Sequence, residues 1–430
     1  MKPKINTDFA QRVESEFSGN KYERLNLKFN PFPVSGSTYI HSSDELTSYL
    51  EPVEESVRKN IFDFIISSLK KQTHTDDNYQ GMTILGEYGS GKTQLLMYLK
   101  FLLESTKIPE KKPYVIYIDN PGVKISELIS AIIAEIGHAN LKKYLWKFVI
   151  NKLSENKESF YTDLGLNKSL LLTEDPFDDS KNNSYKLFIE SCKKSTLNKS
   201  TNKSDFNDKW KNLLISVLKD KQINGKEDGF IAQEFFNILD DDLGVSSTWD
   251  NLLYSQKTIE KREVNFINAI ISLLHCEGFT NVFMLIDEFE DITRGRLTKL
   301  QVDNYLYSLR TLLDKERRWS VVFAMTSNAF DKLKNEVPPL AERMTTIKTQ
   351  LQSDLTDEQV KKLVLNYISF AQIEDKGLFP FSVESIAEIN QRKEKNARRI
   401  LSFCSQVIEK ALELEESQLP ISKEFITQLQ

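Results

Sequence analysis

The sharpest chemical signal in the chain is Gly86-Glu87-Tyr88-Gly89-Ser90-Gly91-Lys92-Thr93. It fits G-x-x-x-x-G-K-[ST], a loop whose glycines let the backbone turn tightly enough to aim its N–H groups at a phosphate. A helix starting near Lys92 adds the partial positive charge of its N-terminus. Lys92 would reach the β- and γ-phosphates, and the Thr93 hydroxyl would ligate Mg²⁺. A second signal is Phe283-Met284-Leu285-Ile286-Asp287-Glu288, an apolar run ending in two carboxylates. At the carboxyl edge of a parallel sheet, Asp287 would hold Mg²⁺ through water and Glu288 would polarise a water for in-line attack on a γ-phosphate.

These residues need a sheet to present them. Met82–Leu85 and Pro113–Ile118 read as buried strands, each followed by a helical pattern, Lys92–Ser105 and Ile125–Ile136. An amphipathic helix precedes them over Val53–Lys71. Alternation of this kind predicts a parallel α/β sheet with crossover helices. Val282–Ile286 and Ser320–Met325 read as two more strands, but only after a long break. Asp287 lies 194 residues after Thr93, far beyond the ~30 residues of a minimal βαβ unit. Residues 139–257 fill that gap with helical stretches (Leu141–Leu153, Asp205–Lys219, Phe230–Leu239) and a polar Lys/Asn/Ser-rich segment over 193–204. After about Gln350 the pattern is all-helical: Asp357–Ala371, Val383–Gln391 and Ala397–Leu414. The expected division is an extended segment over 1–52 packing on the core, a sheet domain from 53–138 and 258–350, a helical insertion over 139–257 and a helical domain over 351–430.

Composition narrows the class. Of 430 residues, 40% are hydrophobic and 28% charged, and Gly and Pro contribute only 15 and 12, which excludes collagen-like and linker-dominated chains. The net charge of −5 carries no basic excess to advertise nucleic-acid binding. The three cysteines and four histidines show no metal-ligand spacing, and no run approaches the ~18 apolar residues of a membrane span. The expected location is therefore the cytoplasm, with no membrane partner.

The order of these motifs resembles the AAA+ ATPases, and among them the initiator clade of origin-recognition and replication-initiation ATPases, over roughly residues 27–138 and 258–430. The resemblance implies ATP and Mg²⁺ as ligands, held between the sheet domain and a helical lid. It implies that Asn328, with Thr326 in reserve, is the polar residue after the fourth strand that contacts the γ-phosphate. It also implies that Arg343, in Pro339-Leu340-Ala341-Glu342-Arg343-Met344, acts on the nucleotide of a neighbouring subunit, which makes the protein a homo-oligomer. Asn396-Ala397-Arg398-Arg399 resembles the lid motif that swings an arginine onto the nucleotide. Lys395 stands where the family usually has glycine, so the choice lies between Arg398, which is favoured, and Arg399. Asp119-Asn120 matches a position that restrains the catalytic Glu. Asn30-Pro31-Phe32 resembles the segment that covers adenine, although local core packing is an equal reading.

Only 32 residues follow Arg398, so the winged helix of initiators is expected to be absent. The expected function is an oligomerising ATP switch in a DNA transaction of defence, transposition or replication-loading type. Duplex DNA would be met by Lys142, Lys143, Lys147, Lys152 and the Lys-rich 193–211 stretch with Trp210, residues that equally suit solvated helix faces. The alternative is a protein-directed ATPase whose 139–257 insertion docks and gates a partner enzyme.

Overall fold

In the computed structural model the described residues are 20–35, 51–70, 79–105, 107, 110–155, 162–165, 184–194, 203–240, 259–293, 298–352 and 354–429. Most of the polar 193–204 segment lies outside them. Five strands form one parallel sheet: β1 (Gln80–Leu85), β2 (Pro113–Ile118), β3 (Asn281–Ile286), β4 (Trp319–Met325) and β5 (Ile347–Gln350), in the spatial order β2-β3-β4-β1-β5. β3 and β4 are buried along their whole length, as strands covered on both faces must be. The fifth strand is an addition to the sequence reading. Its four residues, Ile-Lys-Thr-Gln, are too short and polar to register as a buried run, and they sit on the sheet's edge.

The sheet is covered on both faces. Met82, Ile84, Tyr117, Phe283, Leu285 and Val322 pack against α1 (Glu55–Leu69) and α2 (Lys92–Ser105). Their alternate neighbours, among them Ile116, Ile118, Met284, Ile286 and Phe323, face α3 (Ile125–Ile136), α8 (Ile259–Cys276) and α9 (Lys299–Lys315). The period of two along each strand thus sorts side chains between two cores. α10 (Ser327–Glu336) and α11 (Pro338–Met344) connect β4 to β5.

The insertion does not stand apart from this core. α4 (His138–Glu155) follows α3 with only Gly137 between them, at φ 82°. With α5 (Ser184–Lys194), α6 (Lys203–Leu218) and α7 (Gly229–Asp240) it leads back to α8. Trp146 packs 6.3 Å from Trp210, and Phe235 packs 5.4 Å from Phe266 on α8. All four rings belong to the same apolar cluster as the sheet. Trp210, 3% exposed and stacked on Phe206, is therefore a core residue and cannot serve as the nucleic-acid contact that its Lys-rich surroundings suggested.

The C-terminal helices α12 (Asp357–Ala371), α13 (Val383–Arg392), α14 (Ala397–Ala411) and α15 (Lys423–Gln428) form a second core. Each starts at a side-chain cap, from Thr356, Ser382, Asn396 and Ser422 respectively. Leu25, Leu27 and Phe32 are buried in this bundle, and Lys28 N–H donates to the Ala371 carbonyl at 2.7 Å. The described part of the N-terminal segment up to residue 35 thus packs on the helical bundle.

Candidate functional site

Two backbone hydrogen bonds bring the key loops to one sheet edge. Gly86 N–H donates to the Met325 carbonyl at 3.2 Å, pinning the start of the Gly-rich loop to the end of β4. Asp287 N–H donates to the Ile118 carbonyl at 2.8 Å, pinning the acidic pair to the end of β2. The loop then needs left-handed backbone at Gly89 and Gly91, with φ of 81° and 97°, which glycine adopts without a steric penalty. Helix α2 begins at Lys92.

Lys92 is 8% exposed. Its Nζ donates to the carbonyls of Gly86 at 2.9 Å and Glu87 at 3.4 Å, and stands 4.0 Å from Glu290 Oε1. Burial pushes its pKa below the ordinary lysine value, while Glu290, Asp287 and Glu87 oppose that shift. Ser90 Oγ, within the same loop, is buried without a hydrogen-bond partner. A buried hydroxyl left open in a Gly-rich loop at a helix N-terminus fits an anion-binding site.

Asp287 is 3% exposed and organises the facing wall. Its Oδ2 accepts from Thr93 Oγ1 at 2.6 Å and from the Tyr117 hydroxyl at 3.1 Å, and its Oδ1 accepts from Glu288 N–H at 2.9 Å. Burial first, and then the Asp287 charge, push the Tyr117 pKa well above the usual phenol value, so the hydroxyl stays a donor. Thr93 and Asp287 together offer a hydroxyl and a carboxylate oxygen, the hard donors Mg²⁺ takes beside water and phosphate oxygens. Among the described residues no cluster of three or more His, Cys, Asp or Glu forms a protein cage for a metal. The donor set therefore suits a cation that arrives with its phosphate. Glu288 lines the same cleft with φ 47°. A non-glycine residue in that region costs on the order of 1–3 kcal/mol, a strain that concentrates at functional sites.

The helical bundle closes the cleft from above. Arg398 lines it, and its N–H donates to the Gly89 carbonyl at 3.3 Å. Arg399 instead pairs with Glu394 on the exposed side. The structure thus turns Arg398 toward the Gly-rich loop and Arg399 away from it. Lys395 adopts φ 58°. The left-handed backbone explains why a glycine suits that position, and here lysine occupies it.

Other sequence-predicted residues lie elsewhere. Asn328 is exposed on the first turn of α10 and is not part of the cleft wall. Thr326 caps the same helix by accepting from Ala329 N–H. Arg343 stands at the amino end of β1, beyond the strand from the Gly-rich loop: the Tyr79 hydroxyl donates to its carbonyl at 2.7 Å. Its Nε donates to Asp314 Oδ1 at 2.8 Å. Asn120 Nδ2 donates to Asp291 Oδ2 at 3.2 Å. Phe32 stacks on Tyr367, with ring centroids 5.7 Å apart. It supports a cleft residue from behind, which favours the core-packing reading of Asn30-Pro31-Phe32. Lys147 pairs with Glu277 at 2.8 Å and Lys152 with Asp220 at 3.3 Å, so two of the four lysines of the basic stretch are partly neutralised.

Three participants escaped the sequence reading: Tyr117, Glu290 and Asn396. Tyr117 looked like one more apolar strand residue. Glu290 is turned inward by the 3-10 turn Phe289–Thr293, which no helical or strand period announces. Asn396 was read only as part of its motif, yet its Nδ2 donates to the Tyr88 carbonyl at 3.0 Å.

No protein-family profile matches the chain, and no curated protein matches it. Among solved structures, the chain is similar to the ORC2 protein of Aeropyrum pernix, determined as ADPNP–ADP complexes. The identity is 11% and the TM-score 0.45, over 90% of this chain and 70% of that one. At such a distance the residues of the cleft carry the functional reading.

Proposed function

We propose that this chain is a Mg²⁺-dependent ATPase of AAA+ type, working as an oligomeric switch in a DNA transaction. The observation that carries the reading is the convergence of Lys92, the Thr93–Asp287 pair and Glu288 on one sheet edge, under Arg398 of the helical lid. The amides of the Gly-rich loop and the α2 N-terminus would bind the phosphate chain. Lys92 would leave its carbonyl partners for the β- and γ-phosphates, and Arg398 would approach from the lid. Thr93 and Asp287 would hold Mg²⁺, which when bound supplies positive charge to the β- and γ-phosphate oxygens. Glu288 would take a proton from the attacking water as its oxygen bonds to the γ-phosphorus and the bond to the β-phosphate oxygen breaks. Arg343 is too remote from its own cleft to join this step, which supports its assignment to a neighbour's nucleotide.

A second reading keeps the same ATPase and assigns its output to a partner enzyme docked on the 139–257 insertion. It is favoured by the apolar core that the insertion shares with α3, α8 and the sheet. The common ATPase claim is tested by nucleotide binding and turnover in Lys92→Ala and Glu288→Gln. Lys92→Ala should lose binding or turnover, whereas Glu288→Gln should bind ATP and stall. Turnover at the wild-type rate in both variants would refute the claim.

A further inference from the structure

The cleft lining divides chemically. One part is charged: the Gly-rich loop, Lys92, Asp287 and Arg398. The other is apolar and is built from Pro52, Val53, Leu355, Leu363 and Tyr367, a socket for a flat base. Set into that apolar wall is one carboxamide, Asn366, half-buried on the same stripe of α12 as Leu363 and Tyr367. Its backbone carbonyl accepts from Ser369 Oγ at 2.8 Å. Its side-chain amide makes no hydrogen bond among the described residues.

The cleft's other carboxamide, Gln94, sits on α2 beside Thr93, and the remaining polar groups of this wall are the Tyr367 hydroxyl and two carboxylates with partners. Glu51 lies 3.7 Å from Arg58, and Glu54 Oε1 accepts from Gln352 N–H at 3.3 Å. A carboxylate only accepts, whereas a carboxamide both donates and accepts. Adenine presents that complement on one edge: the 6-amino group donates and the neighbouring ring nitrogen accepts. An open carboxamide in an apolar slot is a poor packing choice and a good reading head.

We infer that Asn366 is the base-reading residue of the cleft, with Oδ1 accepting from the 6-amino group of adenine and Nδ2 donating to the adjacent ring nitrogen. The inference rests on the ATP reading and names what selects its base.

The test is an equilibrium competition titration of ATP against purine riboside triphosphate, which lacks only the 6-amino group. It uses the full chain as wild type, Asn366→Leu and Asn366→Ser, each checked by thermal melting. Wild type should bind ATP about 5- to 100-fold more tightly than the analogue, the range for a bidentate amide–base contact. In Asn366→Leu the two nucleotides should bind alike, with ATP weakened to the level of the analogue. Asn366→Ser, too short to span both atoms, should give the same result and guards against a packing artefact of leucine. A preference that survives in both variants, or that is absent from wild type, overturns the inference while leaving the ATP reading intact. A folded wild type that binds neither nucleotide refutes the ATP reading itself, and the inference falls with it.

Discussion

Asn396 joins the helical lid to the Gly-rich loop through Tyr88. Its Nδ2 donates to the Tyr88 carbonyl at 3.0 Å while its Oδ1 accepts from Arg399 N–H at 3.2 Å, so one side chain caps α14 and holds the loop. The approach is close: a Cβ on Gly89 would lie 2.7 Å from Asn396 Oδ1. Arg398 is carried on the capped turn, and its own N–H adds a second tie to the loop at the Gly89 carbonyl.

The two hydrogen bonds of Asn396 can be separated. Asn396→Ser keeps a cap for α14 and loses the reach to Tyr88, whereas Asn396→Ala loses both. The alanine variant should lose about 1 kcal/mol of stability through the missing cap. The serine variant should melt like wild type yet bind ATP several-fold more weakly. Equal ATP affinity in wild type and Asn396→Ser, measured by titration, would show that the lid contact does not shape the site.

Arg343 should matter only between subunits. It is remote from its own Lys92 and is held by Asp314 in an exposed pair, which is worth at most about 1 kcal/mol and can be exchanged for a stronger partner. Arg343→Ala should bind ATP normally while turnover falls by about 10³-fold, as for removal of a trans-acting arginine. Mixing it with Lys92→Ala should restore part of the rate, because each variant supplies what the other lacks. Full turnover by Arg343→Ala alone would end the inter-subunit assignment.

Glu234 sets a pH dependence of stability. It is 4% exposed on α7, and burial pushes its pKa up to about 7, opposed only by Asn237. A carboxyl with a raised folded pKa binds its proton more tightly when folded, so its contribution is fully present below the unfolded pKa of about 4.5. It is lost as pH rises toward 7. Denaturation at a series of pH values should show stability declining across that window, and Glu234→Gln should remove the decline and stabilise the protein at pH 8. A variant whose stability still falls between pH 5 and 7 as wild type's does would place the effect elsewhere.

Much of the architecture was legible because it follows from periodicity. α2, β2, α3 and α12 begin and end at the residues their apolar spacing predicts. Lys92, Thr93, Asp287 and Glu288 could be expected at one sheet edge because their local spacing sits next to a strand, and they line one cleft. β5 escaped because Lys348 and Gln350 are exposed on an edge strand and leave no buried run. Glu290 and Asn366 escaped for another reason: a charged residue in an acidic run and an amide in an amphipathic helix look solvent-bound until the fold turns them inward. The shared core of insertion and sheet was equally hidden, since sequence shows that Trp146 and Phe235 are apolar but not what they touch. Long-range contact is what single-sequence patterns omit.

The most direct test of the account is the steady-state ATP turnover per chain against protein concentration, with and without duplex DNA. A DNA-templated oligomer with shared sites predicts turnover per chain that rises steeply with concentration and rises further with DNA, both effects vanishing in Arg343→Ala. Turnover per chain that stays constant across concentration and ignores DNA would contradict the oligomeric DNA switch.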